Sequence, residues 1–132
     1  MTMTDPIADF LTRIRNAQMA SKPWTDIPVS KLKIRVSYVL KEENFIRDYI
    51  LIKGEPQDKL RIFLNYDFSD SPVIHGLKRI SKPGCRNYVS SDNLPRVLNG
   101  MGIAILSTSK GVMSNKKAKS LKIGGEVLCH VW

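Results

Sequence analysis

The chain has 132 residues, of which 42% are hydrophobic and 25% are charged, the composition of a folded globular protein and not of a disordered one. That length accommodates one compact domain or two small modules, and no apolar run is long enough to cross a membrane. The first residues, Met1 to Pro6, also lack the basic and apolar regions of a secretion signal, so we expect a cytoplasmic protein.

The net charge of +9 is concentrated in one half of the chain. Residues 1–70 hold 11 Lys and Arg against 10 Asp and Glu, whereas residues 71–132 hold 10 against 2. A half-chain with so few acids has the electrostatic footprint of a protein that binds a polyanion. The second half is therefore where a binding surface is expected.

The first half predicts two amphipathic helices. Asp5 and Pro6 are favourable residues at a helix start, and Ser30 suits the N-cap of a second helix that ends near Glu43. Apolar residues recur at intervals of three and four in both helices: Ile7, Phe10, Leu11, Ile14 and Ala17, then Leu32, Val36, Val39 and Leu40. The lysines of the second helix, Lys33 among them, are expected outside this stripe.

Three strands complete the first half. Residues 24–29 form an edge strand at best, because Pro28 has no N–H to donate to a ladder. Residues 45–52 and 60–64 are joined by a turn rich in Gly, Pro and Asp, which predicts a hairpin. Turn-forming residues then cluster at 67–72 and mark a boundary. We therefore predict an N-terminal helix-strand-helix-strand-strand module over residues 1–70.

The second half predicts a mostly antiparallel β module with short helices, over residues 71–132. Strands are expected at 73–80, 86–89, 102–107 and 126–132, the first two forming a hairpin around a Ser-Lys-Pro-Gly turn. Short helices are expected at 94–98, capped by Asp92, and after Ser114. The predicted fold class is therefore α+β, built from two small modules.

The last strand shows a clean alternation. Val127, Cys129 and Val131 are expected on one face, and Leu128, His130 and Trp132 on the other. Cys85 and Cys129 both fall in strand-like segments, at no spacing that suits a metal or a redox motif. They are interpreted as two buried thiols, and a single disulfide is the alternative.

The central strand of the second half runs at once into three hydroxyl side chains, a lysine and a glycine: Ser107, Thr108, Ser109, Lys110 and Gly111. Hydroxyls donate and accept hydrogen bonds, lysine adds positive charge, and glycine permits close approach of a partner's backbone. This loop suits an anionic ligand rich in hydrogen-bonding groups. The alternative is that the hydroxyls only form a turn, as Ser and Thr between elements often do.

Other residues of the second half strengthen a nucleic-acid interpretation. Lys116 and Lys117 begin a short basic helix, and Tyr88 lies beside Arg86 and Asn87. Structured RNA offers 2′-hydroxyls and base edges to short polar side chains, and unstacked bases to aromatic rings. Tyr88 is either such a stacking residue or a core residue with its hydroxyl at the surface. Together these signals favour RNA as the ligand.

No constellation of residues predicts catalysis, a metal or a cofactor. His75 and His130 stand alone in strand-like runs and are interpreted as structural. Residues 107–110 spell the Ser-x-x-Lys of penicillin-binding enzymes and residues 91–93 spell Ser-Asp-Asn, but their order is reversed and Lys-Thr-Gly is missing. A small hydrolase that uses Ser107 is the weakest alternative, and we expect a protein that is not an enzyme.

Four segments resemble the bacterial small-subunit ribosomal protein eight family, and they lie within residues 5–17, 79–84, 102–113 and 124–129. The strings Ile-Leu-Ser-Thr-Ser-Lys-Gly and Gly-Glu-Val-Leu-Cys are the most specific. The resemblance spans the whole chain. Cys85, His130 and the basic run at 116–119 depart from the residues usual in the family.

The resemblance implies a two-domain constituent of the small ribosomal subunit that binds the central domain of 16S ribosomal RNA directly and supports subunit assembly. It implies no catalysis. By position, the RNA contacts fall on Ser107, Thr108, Ser109, Lys110, Gly124, Gly125 and Glu126, with Tyr88 stacking on a base. Glu126 either accepts from a base amino group, holds a neighbouring lysine or has a purely structural role. Lys116 and Lys117 complete the candidate RNA-binding residues.

The resemblance also implies partners besides 16S ribosomal RNA. Neighbouring small-subunit proteins, including protein five, are expected, and a membrane is not. Some bacterial members of the family also repress translation of their own operon's messenger RNA. The alternative function is therefore an RNA-binding translational regulator that acts off the ribosome.

Overall fold

The computed structural model describes residues 5–132, which form three α-helices and two antiparallel sheets. Residues 1–4, part of the segment inspected for a secretion signal, lie outside the described residues. The chain packs into two compact units: one is Asp9–Ile74, and the other is His75–Trp132 together with the described chain up to Ala8. The predicted α+β class with two modules is confirmed. Separate folding of residues 1–70 and 71–132 stays a prediction.

The Asp9–Ile74 unit holds a three-stranded antiparallel sheet. Its elements are most of α1 (Pro6–Met19), then β1 (Trp24–Pro28), α2 (Lys31–Glu42), β2 (Ile46–Ile52) and β3 (Lys59–Leu64). The strand order is β1-β3-β2, so the predicted hairpin forms and β1 lies at an edge. A proline within β1 is tolerated there because an edge strand has one side free of ladder hydrogen bonds.

The apolar stripes of the two helices are buried largely as predicted. All five stripe residues of α1 are buried, and so are Val36, Val39 and Leu40 of α2, whereas Leu32 is exposed. Ser30 caps α2 by accepting the Lys33 N–H at 3.2 Å. The prediction of an exposed Lys33 is wrong. Its side chain is buried and its ammonium donates to the Pro28 carbonyl at 3.0 Å, because a lysine stem can pack like an apolar side chain.

The His75–Trp132 unit holds a second antiparallel sheet. Its elements are β4 (Leu77–Arg79), β5 (Tyr88–Val89), β6 (Ile103–Thr108), β7 (Gly111–Ser114), α3 (Asn115–Leu121) and β8 (Gly125–Val131). The order is β4-β8-β6-β7, with β5 also paired to β8. Ser114 caps α3 by accepting the Lys117 N–H at 3.2 Å, as predicted. Ala104, Leu106 and Val127 form a buried cluster with Val97.

The predicted hairpin between residues 73–80 and 86–89 is wrong, because both segments pair with β8 and not with each other. Val127 of β8 joins them: it accepts the Ser81 N–H at 3.0 Å and donates its own N–H to Asn87 at 2.9 Å. The two segments therefore form one edge strand, interrupted by a loop. The local turn was visible in the sequence, but the distant partner was not.

The interrupting loop comprises residues 82–86. Cys85 lies in it and is exposed, so the prediction of a buried thiol is wrong there, whereas Cys129 in β8 is buried as predicted; both thiols are free. Burial raises the pKa of the Cys129 thiol to about 12. His75 is also exposed and precedes β4, so it is no strand residue.

The predicted helix at residues 94–98 does not form. Single 3₁₀ turns at Ser91–Asn93 and Leu98–Gly100 stand on either side of it. Leu94 is extended, with ψ of 133°, because the ring of Pro95 disfavours a helical backbone in the residue before it. Asp92 therefore caps no helix.

A β-bulge in β8 overturns the alternation predicted for this strand. Ile105 lies opposite Cys129, but the next residue, Leu106, lies opposite Val127, so Leu128 is an extra residue. Residues that lie opposite each other share a face of the sheet. Val127 therefore faces the same side as Leu106, and Cys129 faces the other side.

Candidate nucleic-acid interface

The bulge determines which side chains meet at one end of the second sheet. Beyond it, Ser107 of β6 lies opposite Glu126 of β8, and Glu126 lies opposite Tyr88 of β5. Side chains at such positions project from the same face and stand about 4.5–5.5 Å apart at Cβ. Three predicted RNA-binding residues, far apart in the sequence, thus form a row, which we call the cross-strand row: Tyr88, Glu126 and Ser107.

Tyr88 is the most exposed member of the cross-strand row. Its exposed fraction is 69%, so the alternative of a core tyrosine is wrong. An aromatic ring held on a strand and open to solvent offers a face on which a base stacks. The stacking role itself stays a prediction.

The three hydroxyls at the end of β6 have different surroundings. Thr108 Oγ1 donates to the Gly111 carbonyl at 2.7 Å and accepts the Lys110 N–H at 3.2 Å, so this hydroxyl closes the turn between β6 and β7. Gly111 has a φ of +111°, which favours glycine. The side chains of Ser107 and Ser109 have no hydrogen-bond partner among residues 5–132. Thr108 fits the turn interpretation, and the two serines are free for a ligand.

Two side chains donate hydrogen bonds to the Glu126 carboxylate. Ser81, which is fully buried, donates its hydroxyl to Glu126 Oε2, and Arg86 Nη1 donates to the same oxygen at 3.0 Å. Desolvation alone would raise the pKa of this carboxyl, but the hydrogen bonds from Ser81 and Arg86 outweigh it and hold the pKa below its usual range. Glu126 is therefore ionised and holds an arginine, not a lysine.

Hydrogen bonds also connect the Glu126 carboxylate to the edge strand. Ser81 Oγ also accepts the Asn87 N–H at 3.2 Å, so Glu126, Ser81 and the residue before Tyr88 form a continuous chain of hydrogen bonds. Within the described chain, Glu126 Oε1 has no partner. The carboxylate thus positions Arg86 and Tyr88 with one oxygen and leaves the other to accept from a ligand.

Gly124 and Gly125 are required by packing. A Cβ on Gly124 would lie 2.2 Å from the Val89 carbonyl oxygen, and one on Gly125 would lie 2.3 Å from the Ser107 carbonyl oxygen. Because backbone atoms cannot move aside as a flexible side chain would, any larger residue displaces β5 or β6. These glycines let the three strands of the cross-strand row approach each other.

The bulge that sets the row is held by an ion pair that the sequence interpretation missed. Arg79 Nη1 donates to the carbonyl of Leu128, the extra residue, at 2.7 Å, and Arg79 Nε donates to Asp5 Oδ2 at 3.0 Å. Asp5 also accepts the Ala8 N–H at 3.2 Å at the start of α1. Arg79 and Ser81 lie within a segment that carried the family resemblance, but their partners are distant in sequence, so no spacing pointed to them.

The predicted lysines do not join the cross-strand row. Lys110 is exposed in the turn after β6, and Lys116 and Lys117 are exposed on α3. Lys116 lines a cleft of about 380 Å³ together with Arg96 and Lys119. They belong to a set of eight cations that form no ion pair within the described residues: Lys78, Lys82, Arg96, Lys110, Lys116, Lys117, Lys119 and Lys122.

Two features of the described chain bear on other functions. Nowhere in residues 5–132 do three or more His, Cys, Asp or Glu side chains come together as a metal ion requires. No helix in the same range is long and apolar enough to cross a membrane.

Comparison with known proteins agrees with the resemblance of the four segments. The sequence model of the family described as ribosomal protein S8 matches residues 5–132. Proteins named small ribosomal subunit protein uS8 are 55% identical in Halothermothrix orenii, 57% in Lactobacillus johnsonii and 55% in Pediococcus pentosaceus. Each alignment covers 132 residues, 100% of this chain and 100% of the relative. The chain belongs to the ribosomal protein S8 family of the small ribosomal subunit.

Proposed function

We propose that this chain is a cytoplasmic constituent of the small ribosomal subunit that binds the central domain of 16S ribosomal RNA directly and supports subunit assembly. The observation that carries the proposal is the cross-strand row, flanked by the two unpartnered serines and by cations that lack carboxylate partners. The protein's place is structural and not catalytic, in keeping with a family of ribosomal proteins.

The chemistry of the row suits a structured RNA with at least one unstacked base. The ring of Tyr88 stacks on that base, and the hydroxyls of Ser107 and Ser109 bond to 2′-hydroxyls and base edges of a wide minor groove. Glu126 Oε1 accepts from a base amino group, a contact that adds base specificity. Lys110, with Lys116 and Lys117 on α3, contacts phosphates, which contributes affinity without reading sequence.

The expected partners are an RNA and neighbouring ribosomal proteins. The central domain of 16S ribosomal RNA is the RNA partner, and neighbouring small-subunit proteins, including protein five, are the protein partners. The Asp9–Ile74 unit, whose half of the chain is nearly neutral, adds less to the electrostatic attraction than the His75–Trp132 unit.

Sedimentation of a cell extract, followed by RNA crosslinking and sequencing, tests the function. A tagged chain expressed in place of the native one is expected to sediment with small subunits in stoichiometric amount. Its crosslinks are expected in the central domain of 16S ribosomal RNA and at Tyr88 or Ser107 in the protein. A chain that stays at the top of the gradient and crosslinks mainly to messenger RNA would instead support the off-ribosome regulator.

A further inference from the structure

β1 carries an exposed aromatic residue that the proposed RNA-binding surface does not use. Trp24 is the first residue of this edge strand and is 38% exposed, in the Asp9–Ile74 unit. Its neighbour in β3 is Phe63, which lies opposite it and so shares its face of the sheet. The next position along β3, Ile62, is fully buried on the other face. Trp24 therefore stands on the outer face of this sheet.

Arg61 is stacked on Trp24 and fixed in that position. The Arg61 guanidinium carbon lies 3.7 Å from the centroid of the indole. Its Nε and Nη2 donate to the two carboxylate oxygens of Asp26 at 2.9 and 3.1 Å. This bidentate contact holds the guanidinium plane and at the same time neutralises the nearest carboxylate. The result is a rigid, planar platform. Because the Asp26 carboxylate is paired with Arg61, it repels an incoming phosphate less than a free carboxylate would.

A cleft adjoins this platform. It has a volume of about 350 Å³ and is lined by consecutive residues that begin just before β1: Lys22, Pro23, Trp24, Thr25 and Asp26. That volume lies within the range of about 300–1,000 Å³ that is usual for small-ligand sites. Lys22 is exposed, and its ammonium forms no ion pair within residues 5–132. An aromatic surface and a free ammonium thus meet at one cleft.

This pair of groups matches the two halves of a nucleotide. Unpaired bases stack on tryptophan and on arginine planes, and a lysine contacts the phosphate as a point charge. A base inside a duplex does not present its face, so a paired strand does not satisfy the site. Because this half of the chain is nearly neutral, a contact here depends on stacking more than on long-range attraction.

We propose that the cleft beside Trp24 binds an unpaired nucleotide of RNA, with its base stacked on the part of the indole that Arg61 leaves exposed and its phosphate at Lys22. This inference rests on the proposed function, because it takes RNA as the partner. It adds a contact on a different unit from the cross-strand row, and one selective for single strands.

Intrinsic fluorescence of the full-length chain gives the first test. The chain has two tryptophans, Trp24 and Trp132, so the difference between the wild type and Trp24→Phe reports on Trp24. A short single-stranded oligoadenylate is expected to quench the wild type saturably, and a blunt RNA duplex is expected to quench it much less. Trp24→Phe is expected to lose most of that quenching. Equal quenching by duplex and single strand, or undiminished quenching of Trp24→Phe, would overturn the proposal.

Affinity for a labelled oligoadenylate gives the second test. Trp24→Leu is expected to weaken binding by roughly 5- to 150-fold, the equivalent of losing one stacked base. Tyr38→Leu is the matched control, because Tyr38 is another exposed aromatic, 49% exposed, on α2 of the same unit. It should bind within about twofold of the wild type. Equal losses in both variants would overturn the proposal.

Lys22→Gln keeps the test decisive if Trp24→Leu folds poorly. It removes one charge and leaves the stack of Trp24 on Arg61 intact. The slope of log affinity against log salt is expected to fall by about 0.7, the amount for one phosphate contact in a single strand. An unchanged slope overturns the phosphate contact. Binding of structured 16S RNA by a Tyr88→Leu variant is measured alongside. If this variant binds 16S RNA as well as the wild type does, the proposed function is in error. If instead the Trp24 and Lys22 variants bind oligoadenylate as well as the wild type does, only the Trp24 site is in error.

Discussion

The two units differ in how far acidic residues offset their positive charge. Among the described residues, the Asp9–Ile74 unit has four ion pairs, Arg13–Asp9, Lys41–Asp48, Lys53–Asp58 and Arg61–Asp26. The other unit has two, Arg79–Asp5 and Arg86–Glu126, and its remaining eight cations have no carboxylate partner in the described chain. Exposed ion pairs contribute only about 0–1 kcal/mol to stability, so this difference bears mainly on binding. The first unit has 9 acids against 11 cations, whereas the second has 3 against 10, so most of the positive charge of the second unit is left for a partner.

Removing charge from each unit in turn would test this contrast most strongly. Replacing Lys110, Lys116 and Lys117 by Gln should lower the salt slope of RNA binding by about 2–3 and weaken binding about 10²- to 10³-fold near physiological salt. Filter binding with a 16S central-domain transcript at several salt concentrations measures both.

The matched control removes the same charge from the other unit. Lys31, Lys53 and Lys59 replaced by Gln should leave the salt slope nearly unchanged, since these lysines lie in the half of the chain that is almost neutral. If the two triple variants lose affinity equally, the contrast between the units is wrong.

The packing of the second sheet is tested by a glycine. Gly124→Ala places a Cβ against the Val89 carbonyl, so the free energy of unfolding should fall by about 1–3 kcal/mol or more. Chemical denaturation measures it. Gly84→Ala is the control, since no atom lies within 4 Å of its added Cβ, and it should be nearly neutral. A stable Gly124→Ala protein would show that close strand approach is not what this position requires.

Tyr88 separates binding from stability. Because its ring is exposed, Tyr88→Leu should leave the melting temperature unchanged, but it should weaken RNA binding by about 1–3 kcal/mol. Tyr88→Phe should bind nearly as well as the wild type, because the stacking face is kept. An early-melting Tyr88→Leu that binds RNA normally when folded would contradict a stacking role.

The three hydroxyls at the end of β6, those of Ser107, Thr108 and Ser109, should divide into two classes. Thr108→Val removes the bonds that close the turn and should lower the melting temperature, with site discrimination retained. Ser107→Ala and Ser109→Ala should leave stability unchanged and reduce discrimination between the cognate site and unrelated duplex RNA. Each direct contact is expected to contribute about 0.5–1.5 kcal/mol. If all three variants behave alike, the assignment of separate roles fails.

Glu126 gives the smallest effect, and the size of this effect depends on pH. Its pKa is lowered in the folded chain, so its charge contributes stability above the unfolded-state pKa, and this contribution is lost as pH falls through the lower folded pKa. Glu126→Gln, which can still accept from Ser81, should cost about 1 kcal/mol or less at neutral pH. In acid denaturation, the difference in stability between wild type and variant should narrow below the unfolded pKa and close below the folded pKa. A constant gap at every pH would exclude the charge as its cause.

Local features of the fold could be predicted from the sequence, and long-range ones could not. The helix stripes, the Ser30 and Ser114 caps and the β2–β3 hairpin each depend on residues a few positions apart. The pairing of β4 and β5 with β8 depends on residues 36 to 54 positions apart. The bulge in β8 also interrupts the alternation from which the faces of a strand are predicted. Lys33 was predicted to be exposed because its ammonium is charged, but its apolar stem favours burial.

The candidate site divides in the same way. The serines and Lys110 stood out because they are contiguous, and Tyr88 because it is an aromatic among polar residues. Their arrangement into a row follows from the register of β8, which no local pattern encodes. Ser81 and Arg79 were missed for that reason: each acts on a residue of β8 that is distant in the sequence.

The position of β8 in the chain has a consequence for synthesis. β4, β5 and β6 all pair with β8, and all of them precede it in the sequence. In a chain made from its N-terminus, these strands leave the ribosome before the partner that joins them, whereas β1, β2 and β3 emerge early and together. Unpaired strand edges are prone to wrong associations, so the nascent chain passes through a vulnerable interval. A chain stalled before Gly125 would hold one complete sheet and no cross-strand row.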